Sequence, residues 1–246
     1  MKLLALDRGN DSLKAGLYDG DRLVWTGSSR GAGPDEVRGL LEGMSPSGAA
    51  ISSVVPEFTD SAGRMLEESL PGRVVTAGAE SPWPFRIELA DRGGVGADRL
   101  CAAAGAVSES GAASLVVVDA GTAVTVDIVA DGAFVGGTIF PGPSMMLGSL
   151  HAGTAALPLV DEPDSPPDFP GGDTAAAIRA GVWLASAGAV REIVARALED
   201  LPEGSPVFLT GGGSRSARSV LEGRAIIRPS LVMDGLKWLY HNEIPE

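Results

Sequence analysis

The sequence predicts a mixed α/β protein made of two similar halves, and three observations carry that expectation. The first is a repeat: residues 3–24 read LLALDRGNDSLKAGLYDGDRLV and residues 115–132 read LVVVDAGTAVTVDIVADG. Each is an apolar run, an Asp-x-Gly turn, an alternating segment and an Asp-Gly pair. One offset relates Asp7 to Asp119, Gly9 to Gly121, Asp19 to Asp131 and Gly20 to Gly132. The second is the alternation of short strand-like runs with helix-like ones along the whole chain. The third is size: 246 residues with 44% apolar content can fill one large core or two compact ones.

Each copy of the repeat parses as a strand, a glycine turn, a second strand and a hairpin closed by Asp-Gly, a strong short-range hairpin signal. The second copy continues as AFVGGTIF, a third strand. In GPDEVRGLLEGM, Val37, Leu40, Leu41 and Met44 recur at helical spacing behind Pro34, a residue suited to a first turn. AAISSVV and RVVT read as strands. Between them, Phe58, Ala62, Met65, Leu66 and Leu70 mark an amphipathic helix. The alanine-rich ADRLCAAAGAV predicts a helix with Asp98 at or near its N-terminus.

That helix closes the first half, so the expected domains are residues 1–112 and 113–246. In the second half TAAAIRAGVWLASAGAVREIVARALED is the longest helical stretch. PVFLTGGGSRSARSVL reads as strand, glycine loop and helix. The acidic, proline-rich DEPDSPPDFPGGD at 161–173 reads as a connecting loop, with a functional lid as the alternative. Leu231, Leu236, Leu239 and Tyr240 suit a packing helix.

Composition narrows the function classes. A formal net charge of −13 gives no electrostatic footprint for phosphate backbones or anionic lipid, so neither nucleic acid nor membrane is an expected partner. Cys101 is the only cysteine, so no intrachain disulfide forms, and its place in an apolar helix marks it as a core residue rather than a nucleophile. Lys2 precedes only four apolar residues before Asp7, which is not a signal-peptide pattern, and no apolar run reaches membrane-spanning length. The expected location is cytoplasmic. His151 and His241 lie far apart with no acid or cysteine at ligand spacing, which argues against a histidine metal site. Trp83 and Phe85 in SPWPF read as buried packing between prolines.

The acids of the repeat are the candidates for chemistry. A carboxylate at the end of a buried strand loses hydration and needs a cation or donors nearby. Two such acids in repeat-related turns, opposed across a cleft, suit a site for a metal-bound polyphosphate cradled by the backbone N–H groups after each glycine. A purely structural pair of turns is the alternative.

At these residues the chain resembles the type III pantothenate kinases, also called Bvg accessory factors, of the actin-like ATPase and sugar-kinase superfamily. The resemblance rests on DRGN near the start, ISSVVP at 51–56, GADR at 96–99, DAGTAVTVD at 119–127, GGTIFPG at 136–142, TAALPLV at 154–160, DTAAAIRAG at 173–181 and LTGGG at 209–213. It implies two ribonuclease-H-like (actin-like ATPase) domains with a central cleft. It also implies ATP-dependent phosphorylation of pantothenate, a homodimer, and a need for Mg²⁺ and a monovalent cation, K⁺ or NH₄⁺.

Position by position, the resemblance makes Asp7, Arg8, Gly9, Asn10, Asp11, Ser12, Leu13 and Lys14 the phosphate loop, with Asp7 holding Mg²⁺ directly or through water. Asp98 becomes the general base and Arg99 the residue that positions the acidic substrate, while Gly96 and Ala97 line the same pocket through backbone. A helix cap for Asp98 and an ordinary ion pair for Arg99 are the plainer readings. Asp119 matches the monovalent-cation ligand and Thr122 an ATP contact. Thr174 matches a substrate contact, with a helix cap as the alternative. Gly211, Gly212 and Gly213 bring backbone close to the nucleoside.

Two positions depart from the family pattern: Asp11 stands where a threonine or serine is usual, and Leu89 where a substrate-contacting tyrosine is usual. An extra carboxylate beside triphosphate oxygens is unfavourable unless it points away, meets Mg²⁺ or pairs with Arg8 or Lys14. Two other readings stay open at this point: a kinase of the same fold for another small acidic alcohol, and a catalytically weak regulatory nucleotide-binding protein.

Overall fold

The computed structural model describes residues 1–30, 33–212 and 215–243. The chain divides into two compact units, one of Met1–Gly111, Gly132–Phe134 and Ser230–Glu246, the other of Ala112–Asp131 and Val135–Pro229.

The first unit begins with β1 (Lys2–Arg8), β2 (Leu13–Asp19), β3 (Arg22–Ser29) and α1 (Pro34–Leu41), and continues with β4 (Gly48–Ser53), α2 (Pro56–Ser69), β5 (Val74–Thr76), β6 (Arg86–Ile87) and α3 (Ala97–Ser110). Its sheet has the order β3-β2-β1-β4-β5. β1 is antiparallel to β2 and parallel to β4. β1 is buried on both faces, which is why its sequence is a continuous apolar run. Leu4 and Leu6 pack in one cluster with Val37, Phe58 and Met65, so this face of the sheet is covered by α1 and α2. The short β6 pairs with Ala133 and Phe134.

The second unit holds β7 (Leu115–Ala120), β8 (Ala123–Ala130), most of β9 (Ala133–Pro141), α4 (Pro143–Ala152), α5 (Thr174–Glu199), β10 (Val207–Thr210), α6 (Arg215–Leu221) and β11 (Ala225–Ile227). Its strands run β11-β10-β7-β8-β9. β7 is antiparallel to β8 and parallel to β10, and β10 is parallel to β11. This is the order and direction of the first sheet, with β7 in the place of β1, so the sequence repeat is a repeat of topology. Val116, Val118, Val190, Val194, Leu209 and Leu221 form the main core here, with α5 and α6 against the sheet.

The strand and helix assignments made from the sequence all find their elements; β6, α4 and β11 carry too few periodic residues to be seen in it. The C-terminal helix α7 (Leu231–Asn242) groups with the first unit. The reason is close helix packing. A Cβ on Gly235 of α7 would run into the carbonyl of Cys101 on α3, and one on Gly105 of α3 would run into the carbonyl of Leu231. The two glycines thus let the backbones of α3 and α7 touch. Tyr18 of β2 donates to Asp234 Oδ1 at 2.6 Å and Lys237 Nζ lies 5.3 Å from the Tyr18 ring centroid, fixing the other side of α7. Burial and the Asp234 carboxylate push the Tyr18 phenol pKa up.

Among the described residues no helix is long and apolar enough to cross a membrane.

Candidate active site

The first turn is built by strand pairing. Asp7 sits opposite Lys14 on β2 and beside Ser52 on β4, and Arg8 opposite Leu13. The N–H of Gly9 donates to the Ser12 carbonyl at 3.0 Å and closes the turn. Asp7 and Arg8 are buried, whereas Asn10, Asp11 and Lys14 are exposed and Ser12 is half-buried.

Asp98 enters from α3. Its N-cap is Gly96, so Asp98 is the second residue of the helix and not its cap, and one carboxylate oxygen accepts from the Arg99 N–H at 2.9 Å. A Cβ on Gly96 would collide with Asp98 Oδ1, so the glycine of GADR makes room for the acid. Ala97 is buried and Asp98 half-buried. One turn further on, the Cys101 thiol is wholly buried. Its pKa is pushed up by burial first, then by the charges of Asp7 and Asp98. The carboxylates of β1 and α3, far apart in sequence, therefore act on one buried thiol. A buried thiol held neutral is no nucleophile.

Arg99 is held by an aromatic ledge that the sequence does not announce. Its guanidinium carbon lies 5.7 Å from the Phe134 ring centroid, Phe134 lies 6.0 Å from Phe85, and Phe85 stacks on Trp83 at 6.1 Å. Phe85 is buried as expected, while Trp83 is half-buried with its indole N–H donating to the Gly78 carbonyl at 2.9 Å. SPWPF thus sets a side chain of GADR. Only the pairing of β6 with the start of β9 brings Phe134 there. Leu89 is half-buried in the segment after β6.

In the second unit Asp119 is half-buried, opposite Thr125 on β8 and beside Thr210 on β10. Gly211 follows with φ +88°, and a Cβ there would lie 2.5 Å from Asp119 Oδ1 and against the Ala120 carbonyl. LTGGG and DAGTA are therefore one structure. Gly211 and Gly212 line a cavity of about 230 Å³ with Ala120, Thr210, Arg215 and Arg218. Gly213 lies outside the described residues. The exposed Thr122 accepts the Gly142 N–H on its carbonyl at 2.9 Å, and Gly142 has no room for a Cβ against that turn.

Thr174 opens α5, but the cap is Asp173, whose Oδ1 accepts the Ala176 N–H at 2.8 Å. Thr174 is left exposed on the wall of a cavity of about 660 Å³ lined with Met146, Leu150, Leu157, Ile178 and Val182. The 161–173 loop is tied down: Arg215 meets Asp164 at 2.8 Å, and Ser144 donates to Glu162 at 3.4 Å. Burial raises the Glu162 pKa.

Among the described residues no group of three or more His, Cys, Asp or Glu side chains could hold a metal ion. A cation shared between one carboxylate and substrate phosphates does fit the lone acid at the end of β1.

Several solved structures share this architecture. A candidate Baf-family transcriptional activator from Campylobacter jejuni matches with TM-score 0.64 at 20% identity, covering 97% of each chain. A candidate 2-dehydro-3-deoxygalactonokinase from Sinorhizobium meliloti matches with TM-score 0.61 at 18% identity, covering 99% of this chain and 100% of that one. A candidate N-acetylmannosamine kinase from Listeria monocytogenes gives 0.58 at 14%, covering 99% of each. These similarities establish the actin-like sugar-kinase fold. Sequence similarity is more specific. The type III pantothenate kinase family model matches residues 3–196. The type III pantothenate kinase of Chlorobium luteolum is 38% identical over 78% of this chain and 73% of its own, and that of Rubrobacter xylanophilus 33% identical over 97% of each. The chain thus belongs to the type III pantothenate kinase family, and its reaction is the phosphorylation of pantothenate on the route to coenzyme A.

Proposed function

We propose that Asp98 is the general base of this kinase and that the phosphoryl donor is ATP. The acceptor hydroxyl of pantothenate attacks the γ-phosphorus and its proton passes to the Asp98 carboxylate. The new O–P bond forms as the bond to the β-phosphate bridging oxygen breaks, and ADP leaves. The observation that supports this reading is the half-buried Asp98 on the first turn of α3, where Gly96 leaves room for its carboxylate. A base on the first turn of a helix, beside the acid that ends β1, is where an acceptor oxygen and a nucleotide phosphate would have to meet.

Asp7 would hold Mg²⁺, which when bound neutralises charge on the phosphate oxygens. The turn 9–12 would cradle phosphates through backbone N–H groups, and Lys14 would add a positive charge beside it. Arg99, steadied on Phe134, would fork onto the pantothenate carboxylate. In the second unit Asp119 would hold K⁺ or NH₄⁺, Thr122 would touch ATP, and Gly211 and Gly212 would bring backbone to the nucleoside in the cavity they line. Thr174 would meet substrate from its own cavity wall.

We further propose a cytoplasmic homodimer, supported by the large apolar side chains that the second unit leaves exposed, Met145, Leu159 and Leu184. Light scattering on the purified protein checks it.

Purified protein with pantothenate, ATP, Mg²⁺ and K⁺ tests the catalytic reading. Phosphopantothenate should form with the wild type and be nearly abolished in Asp98→Asn at unchanged thermal stability. Wild-type turnover in Asp98→Asn would remove the base from the mechanism.

A further inference from the structure

Arg8 ends β1 between the acid and the glycine of the first turn, and it is only 6% exposed. Its Nη2 donates to the Asn10 carbonyl at 3.1 Å, which folds the guanidinium over the turn. Its Nε and Nη1 are buried and have no hydrogen-bond partner among the described residues. A guanidinium stays ionised at any pH a protein tolerates, so this is a buried cation with open donors on both edges of its fork. Such a state is unfavourable unless something anionic completes it. Strand alternation sends neighbouring side chains to opposite faces. Arg8 shares its face with Leu4 and Leu6, which pack under α1 and α2. Apolar packing offers the guanidinium no counter-charge.

The matching residue of the second turn is Ala120, buried and uncharged. The cation is therefore a feature of the first turn and not of the repeated motif.

We propose that Arg8 is an oxyanion-binding residue whose open N–H groups take up a phosphate oxygen of the nucleotide. This rests on the reading of the first turn as the phosphate loop. It adds a side-chain contact that the backbone cradle lacks. The tether to Asn10 favours phosphate over the substrate carboxylate, because it holds the guanidinium against the residues that would wrap the phosphates.

Thermal melts with and without ADP and Mg²⁺, together with steady-state kinetics, test it on wild type, Arg8→Met and Arg8→Lys. Without nucleotide, Arg8→Met should melt at or above the wild-type temperature, because an unpaired buried charge has been removed. Its stabilisation by ADP should shrink, and its KM for ATP should rise about tenfold or more, the usual size of a lost bond to a charged group. The KM for pantothenate should stay near the wild-type value, and Arg8→Lys should recover part of the ATP effect.

An Arg8→Met protein that melts lower than wild type without nucleotide makes the guanidinium structural and overturns the proposal. So does an unchanged KM for ATP in both variants. A rise confined to the KM for pantothenate identifies the substrate carboxylate as the anion and overturns the phosphate assignment. A wild type that gains no stability from ADP refutes the phosphate-loop reading itself. A wild type that gains it while Arg8→Met gains it equally refutes only the role of Arg8.

Discussion

The two glycine turns share one motif and differ in what surrounds them. In the first, Asp7 is buried at the end of β1, and α3 brings Asp98 to the same thiol. In the second, Asp119 is half-buried, and its neighbour is the backbone of Gly211. The pairing differs as well. Arg8 pairs with Leu13 across four intervening residues, whereas Ala120 pairs with Val124 across three. The longer first turn has room for exposed polar residues, and the shorter second one is hemmed in by Gly142 and Gly211. The hairpins that follow have diverged too. Asp131 and Gly132 both take positive φ and form the two-residue loop between β8 and β9. In the first copy Asp19 pairs with Arg22, so the loop is Gly20-Asp21, and an irregularity between Leu17 and Tyr18 absorbs the shift. A repeated turn fixes where an acid stands; its neighbours decide what the acid does.

If the first turn carries the chemistry, the largest loss belongs to its partner. Asp98→Asn should lower kcat by about 10²- to 10⁴-fold, the usual worth of a positioned base. Next comes the contrast between the repeat acids. Asp7→Asn should lower kcat/KM by about 10²-fold and move the Mg²⁺ dependence to higher concentration. Asp119→Asn should cost about tenfold and move the K⁺ dependence instead. Equal losses restored by the same cation would break the comparison.

The glycines sharpen it through stability. Gly211→Ala, at φ +88° and against Asp119 and Ala120, should destabilise the protein by about 1–3 kcal/mol in denaturant melts. Gly9→Ala, whose Cβ would come no nearer than 3.8 Å to the Ser12 carbonyl oxygen, should stay within about 0.5 kcal/mol of wild type. Leu89→Tyr, which restores the family's usual side chain, should lower the KM for pantothenate about fivefold, equivalent to one added hydrogen bond.

The smallest effect is a pH dependence peculiar to the first unit. The Cys101 thiol is raised in the fold, so the protein favours the neutral form more than the unfolded chain does. That contribution to stability is complete below the ordinary thiol pKa of 9.0 and is lost as pH climbs towards the folded value. Cys101→Ala should therefore flatten part of the alkaline fall in melting temperature.

Much of this was legible in the residues. The offset joining Asp7, Gly9, Asp19 and Gly20 to their counterparts foretold two sheets of one topology, because period and turn chemistry are local properties. The helix over ADRLCAAAGAV, and the placing of Asp98 in its first turn, were local in the same sense. The ledge of Trp83, Phe85 and Phe134 under Arg99 was not, since a two-residue strand and a distant phenylalanine leave no periodic trace.

By itself, then, the sequence determined the elements, the duplicated turns and the acids that end their strands, since backbone dihedral preferences and apolar periodicity act over a few residues. Only the tertiary structure decided that α7 returns to the first unit, that Gly105 and Gly235 let two helix backbones touch, and that Asp7 and Asp98 share one thiol. It also decided that the Arg8 fork is buried with donors to spare. These are contacts between distant residues, set by which small side chains permit close approach and which buried charges find a partner, and no local pattern encodes them.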